Sequence, residues 1–127
     1  MKKLLIISIM TACLTGFGQN SECNNFKTGK FRMEDPSTGT NLITRTKSSQ
    51  IEYLPKLEVK VELNVNWINS CTLKLTLNKV LENPKEMSIE DFVLVSEIIK
   101  TTDSSYTMRS KIQDSDIVLI REFIRVK

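Results

Sequence analysis

Between Leu57 and Trp67 the chain alternates without a break. Leu57, Val59, Val61, Leu63, Val65 and Trp67 are apolar, and Glu58, Lys60, Glu62, Asn64 and Asn66 between them are polar. A period of two sends the two sets to opposite faces of a β-strand, so the segment predicts a strand with one buried and one wet face. Cys71, Leu73, Leu75 and Leu77 then alternate with Thr72, Lys74, Thr76 and Asn78, and Ile68-Asn69-Ser70 between the two runs suits a short hairpin loop. With Trp67 opposite Cys71, the expected partners are Val65 with Leu73, Leu63 with Leu75, and Val61 with Leu77. A slip of one residue would bury Lys74 and expose the leucines, so this pairing is strongly specified.

Weaker strand signals flank this hairpin. Phe26 to Met33 reads as a first strand, stopped by the turn chemistry of Asp35-Pro36-Ser37. Asn41 to Lys47 and Gln50 to Leu54 predict a second hairpin around Ser48-Ser49, ended by Pro55, which cannot donate to a ladder. Tyr106 to Ile112 and Ile117 to Val126 follow the turn sequences Asp103-Ser104-Ser105 and Asp114-Ser115-Asp116. Residues 82–101 carry both signals. Ser88, Glu90 and Asp91 resemble a helix start, whereas Phe92-Val93-Leu94-Val95 and Ile98-Ile99 are strand formers. The favoured reading is a loop or single helical turn over Asn83 to Asp91, then a strand to Thr101. The sum is an all-β chain, an antiparallel up-and-down meander of about eight strands. Such a meander closes into a small barrel, which removes exposed edges. An open, strongly twisted sheet or a two-layer sandwich is the alternative.

The N-terminus has a different character. Met1-Lys2-Lys3 is a cationic start, Leu4 to Leu14 is an apolar run broken by Ser8 and Thr11, and Gly16-Phe17-Gly18 offers small residues before Gln19. This is the layout of a secretory signal peptide. The run of about eleven residues is too short to cross a bilayer, which needs about 20. Residues 1–18 are therefore expected to be removed, leaving 19–127 as a single all-β domain, exported to the periplasm or secreted. Met10-Thr11-Ala12-Cys13 also loosely resembles a lipobox, so lipidation at Cys13 and a lipid anchor on the envelope form a minor alternative. No later stretch is apolar enough to span a membrane.

Charge and composition exclude more than they suggest. Removing the two lysines of the signal lowers the formal net charge from +3 to +1, too little for a long-range field that draws a domain onto nucleic acid. The chain has no histidine, which excludes Ser-His-Asp and Cys-His nucleophile systems, His-ligated zinc and blue copper. No cofactor or metal site is indicated, and a non-catalytic protein is the expectation. Of three cysteines, Cys13 lies in the signal, leaving Cys23 and Cys71. An even pair in an oxidising compartment reads as one disulfide; two buried free thiols are the alternative.

Several segments together carry a resemblance. Cys23-Asn24-Asn25-Phe26-Lys27-Thr28-Gly29-Lys30-Phe31, Ile43-Thr44-Arg45, Gln50-Ile51-Glu52 and Trp67-Ile68-Asn69-Ser70-Cys71-Thr72-Leu73-Lys74-Leu75 resemble a family of small exported proteins from Bacteroidetes-type bacteria. The likeness spans most of the mature chain and is clearest from Cys23 to Leu77. It implies a paired Cys23 and Cys71 and an all-β fold, and it implies no activity. After Leu81 the chain departs from the family pattern, with Pro84-Lys85-Glu86-Met87 where a Gly-Lys turn is expected. Some members of that family carry a DNA topoisomerase IV label. That label does not fit a small exported chain with no phosphate-binding glycine loop. Thr28-Gly29-Lys30-Phe31 is also similar to the opening Gly-x-Trp of lipocalin-like barrels, with Phe31 in place of the tryptophan. This implies a first strand that bends at Gly29.

The candidate chemistry is sparse. Trp67, the only tryptophan, is a candidate wall of a ligand pocket; core packing at the end of an apolar stripe is the plainer reading. A barrel not quite filled by its own side chains would hold a small apolar or amphipathic ligand. The other functional reading is an envelope-associated module for protein interaction, stress or inhibition, working through a loop end or sheet edge. Asp114-Ser115-Asp116 lacks the spaced ligands of a calcium loop and reads as a turn. Lys27, Lys30, Arg32, Arg45 and Lys47 form a modest basic cluster, suited to an anionic head group or simply to solvated strand faces. Glu52 and Glu58 flank Tyr53 and Pro55, but two carboxylates alone do not make a glycosidase.

Overall fold

The computed structural model describes residues 22–127. The signal segment 1–18, the cut before Gln19 and the lipidation candidate Cys13 lie outside the described residues. Eight antiparallel strands follow in sequence order: β1 (Gly29–Asp35), β2 (Gly39–Arg45), β3 (Ser49–Leu54), β4 (Val59–Trp67), β5 (Thr72–Glu82), β6 (Val93–Thr101), β7 (Ser105–Ile112) and β8 (Val118–Arg125). Each pairs with the next, and β8 pairs back with β1, so the sheet is a closed barrel. Closure resolves the choice between barrel, open sheet and sandwich. Among the described residues, no helix is long and apolar enough to cross a membrane.

The central hairpin keeps its predicted face but not its predicted register. Trp67 pairs with Leu73, Val65 with Leu75 and Leu63 with Leu77, two residues along from the expected partners. Because the side-chain period is two, a slip of two leaves the same residues inside. The physical cause is the turn. Ile68 and Asn69 both donate their N–H groups to the Thr72 carbonyl, at 2.8 and 3.3 Å. Asn69 Oδ1 also accepts the Cys71 N–H at 2.9 Å. The loop therefore takes in Cys71 and runs through residues 68–71. Farther along, two irregularities shift the register so that Val61 meets Val80. Such bulges bend and twist a strand, which helps a short barrel close.

One end of the barrel is plugged. The chain before β1 forms a single 3-10 turn, Asn24–Phe26, instead of the start of a strand. Its Phe26 ring is buried against Tyr106, with centroids 5.1 Å apart, and Tyr106 in turn stacks on Phe123 at 5.0 Å and meets Phe31 edge-on at 5.0 Å. A Cys23–Cys71 disulfide, spanning 48 positions, ties the plug to the start of β5. Gly29 lets the chain swing from plug to strand. Its φ is +136°, and a Cβ there would lie 2.6 Å from Arg125 Nη1 and 3.2 Å from Phe31 Cζ. The first strand thus begins at Gly29 instead of bending there, and Arg125 lies over the Phe31 ring, 5.1 Å from its centroid.

Candidate functional site

Inward-facing side chains are completely buried near the plug: Phe31, Ile43, Leu63, Leu73, Ser96 and Tyr106. Toward the other end, inward-facing residues keep accessible surface. Met33, Leu54, Leu77 and Leu94 are half-buried, and Ile112 and Leu119 are 36% and 37% exposed. Leu119 lies beyond the β1–β8 pairing and Ile112 at the end of β7, so the barrel is less tightly filled toward this end. The barrel is therefore closed by the plug at one end and less well covered at the other, its mouth, where the β1–β2, β3–β4, β5–β6 and β7–β8 connections lie.

The wall of the cup parts on one side. β5 and β6 pair only from Thr72–Glu97 to Thr76–Val93, whereas β5 continues to Glu82, paired with β4 alone. A groove of about 560 Å³ lies in this gap. Leu77, Phe92, Val93 and Ile112 form its apolar lining, and Thr76, Asp91, Gln113 and Asp114 its polar lining. The connection 83–92 leans over this region. Ile89 and Phe92 pack onto the core, Asn83 and Met87 exchange hydrogen bonds of 2.9 Å, and Lys85 pairs with Glu58 at 3.3 Å. This is the loop expected over Asn83 to Asp91.

Polar groups face the lumen at two depths. At the floor, Arg45 is only 2% exposed. Its Nε donates to Gln50 Oε1 at 2.6 Å, Nη1 to the Phe26 carbonyl at 2.9 Å and Nη2 to the Tyr106 hydroxyl at 2.9 Å. The guanidinium also lies over the Phe31, Tyr106 and Trp67 rings at 5.3, 5.6 and 6.0 Å. Burial pushes the Tyr106 pKa up, opposed by Arg45. Nearer the mouth, Arg121 Nε meets Asp35 Oδ2 at 3.2 Å. Asp35 is held well below the usual carboxylate range, chiefly by the hydrogen bond from the Ser37 hydroxyl, with backbone donors of Ser37 and Thr38 and with Arg121 adding to it.

Glu52 lies between these levels. Its cross-strand neighbours are Ile43 and Val61, and Gln50 Nε2 donates to its Oε2 at 2.9 Å. Burial raises its pKa, opposed by Gln50 and by the charge of Arg45. The residue as a whole is half-buried.

The structure redistributes the residues singled out from sequence. Cys23 and Cys71 come together as one disulfide. Trp67 is at the plugged end, with Lys27 Nζ 5.2 Å from its ring centre, and is not among the residues lining the groove. Its buried Nε1 has no hydrogen-bond partner, the one such side-chain atom among the described residues. The basic cluster is broken, because Arg45 points inward while Lys30 and Arg32 remain exposed. Glu52 is luminal whereas Glu58 sits in the exposed β3–β4 turn, so they share no site. Asp114-Ser115-Asp116 forms the β7–β8 turn, with Asp114 at φ +66°. Glu52 and Arg45 escape a reading by charge alone. The signal that finds them is strand parity with Ile43 and Leu63.

Comparison with family models, with curated proteins and with solved structures finds no match in any of the three.

Proposed function

We propose that this protein is an exported, non-catalytic barrel that takes a small apolar or amphipathic ligand into the open half of its lumen. The carrying observation is the gradient of exposure along inward-facing positions, from none at Phe31 and Leu73 to more than a third at Ile112 and Leu119. An eight-stranded barrel has room for its own side chains or for one small ligand, and the groove volume falls in the usual range for ligand sites. Export is supported by the disulfide, which persists in oxidising compartments. The test is native, then denaturing, mass spectrometry on protein recovered from its own cells. A mass excess lost on denaturation is the expected result. A bare native mass, with no uptake of an apolar fluorescent probe, would overturn the reading.

A second reading has its own observation. Ile117, Val118, Leu119 and Ile120 are all exposed, and β8 pairs with β1 only from Phe123 to Arg125, so the start of β8 has an open edge. Exposed apolar segments on open edges suit protein contacts. An envelope-protein partner captured by the native protein but not by an Ile120→Lys variant would favour this function.

A further inference from the structure

Resting on the reading of the lumen as a ligand site, we infer that residues 83–92 are a displaceable strap. Ile89 and Phe92 fill apolar space beside the groove, and an entering ligand lifts the strap and takes their place. The inference starts from the end of the β5–β6 ladder, whose last pair is Thr76 with Val93. Continued in register, the ladder would set Phe92 against Leu77 and Ile89 against Val80, and neither pair forms. The chain thus leaves the wall where the groove begins, and what would have been more of β6 packs over the gap through Ile89 and Phe92 instead.

Little fastens the strap. Its own hydrogen bonds close on Asn83: the Glu86 N–H donates to the Asn83 carbonyl at 3.1 Å, and the Asn83 side chain bonds Met87. From Ser88 to Phe92, no hydrogen bond or ion pair reaches another element among the described residues. The polar tie to the barrel is Lys85, whose Nζ meets Glu58 Oε2 at 3.3 Å and the Lys56 carbonyl at 3.4 Å. Those two side chains are 52% and 53% exposed, and ion pairs in water contribute little. The rest of the hold is apolar contact by Ile89 and Phe92. A segment with few ladder bonds and a small apolar contact opens at low cost, and an apolar ligand covers the same surface once the strap lifts. The plug, by contrast, is held by the disulfide and by bonds from Arg45 and Arg125 to its carbonyls. Entry is therefore assigned to the strap side. Because strap and ligand compete, loosening the strap tightens binding.

The experiment titrates the full mature protein with N-phenyl-1-naphthylamine, a dye that brightens in apolar surroundings. Ile89→Ala, checked for native Trp67 emission, should bind the dye about fivefold tighter, the scale of half-burying one isoleucine. Lys85→Ala should tighten binding by about twofold, as loss of one exposed ion pair allows. The thiol introduced by Ile89→Cys should react faster with a soluble thiol reagent when dye is bound, measured against the thiol introduced by Met87→Cys, a position exposed from the start. Unchanged or weaker dye binding by Ile89→Ala, or labelling at position 89 that the dye slows or leaves unchanged, would overturn the strap while leaving a lumen ligand in place. No dye binding by the parent, Ile89→Ala and Lys85→Ala alike would overturn the lumen reading as well.

Discussion

Replacing both cysteines, Cys23→Ser with Cys71→Ser, isolates what the cross-link does. The bond spans 48 positions, and closing a loop of that length removes about 4 kcal/mol of chain entropy from the unfolded state in the chain-entropy model. The folded contacts of the plug do not depend on the bond. Phe26 remains buried against Tyr106, Arg45 donates to the Phe26 carbonyl at 2.9 Å, and Arg125 donates to the Asn25 carbonyl. Burial of one phenylalanine contributes about 2–3 kcal/mol, so the plug should stay docked in the variant. A domain of this size holds about 5–15 kcal/mol in total, and the variant should therefore fold. Urea unfolding followed by Trp67 fluorescence should show a loss of about 4 kcal/mol with a larger m-value, since the uncrosslinked chain exposes more surface on unfolding. At about 4 °C per kcal/mol the thermal midpoint should fall by roughly 15 °C. A folded variant that loses less than about 1 kcal/mol would refute the argument that the bond acts by constraining the unfolded chain.

Three further substitutions test the interior. Gly29→Ala forces a Cβ into a backbone region that side chains rarely adopt and against Arg125; it should cost about 2 kcal/mol, read by urea unfolding, and an unchanged midpoint would contradict the bend. Arg45→Ala strips the partners from Gln50, Phe26 and Tyr106 and should cost about 3–5 kcal/mol. Arg45→Met should recover part of that loss by refilling the volume, and an Arg45→Ala barrel as stable as the parent would show the guanidinium to be energetically idle. For Glu52 the folded pKa is raised above the ordinary 4.5. The folded state then holds a proton that the unfolded chain releases, so stability declines as pH rises through that window. Glu52→Gln removes the cost: thermal midpoints should match the parent near about pH 4 and exceed it near about pH 8, and a variant less stable at the higher pH would reverse the sign of the burial effect.

The alternation from Leu57 to Leu77 determined the central hairpin and its buried face, because strand parity is a local property of the chain. It did not determine the register, since a slip of two satisfies the same parity, and the choice fell to hydrogen bonds in the turn around Asn69 and Thr72. Phe26 reads as the start of a strand because a lone aromatic carries no period. Only its docking on Tyr106 makes it a plug. Arg45 and Glu52 look like surface charges by residue type, yet their alternation with Thr44 and Ile51 sends them inward. Arg45 is held by Phe26 and Tyr106, far along the chain, which no local pattern announces, whereas Glu52 is held by Gln50 two residues away. The groove residues Leu77, Phe92 and Ile112 are legible as apolar, but not as neighbours. Closure depends on β1 meeting β8 over three residue pairs, and the gap in the wall on β5 outrunning its pairing with β6. Both are sums of strand lengths, tilts and bulges around the whole ring, so local alternation is enough to place most strands and their faces, whereas which end of the barrel is the less covered one follows only from how the ring closes.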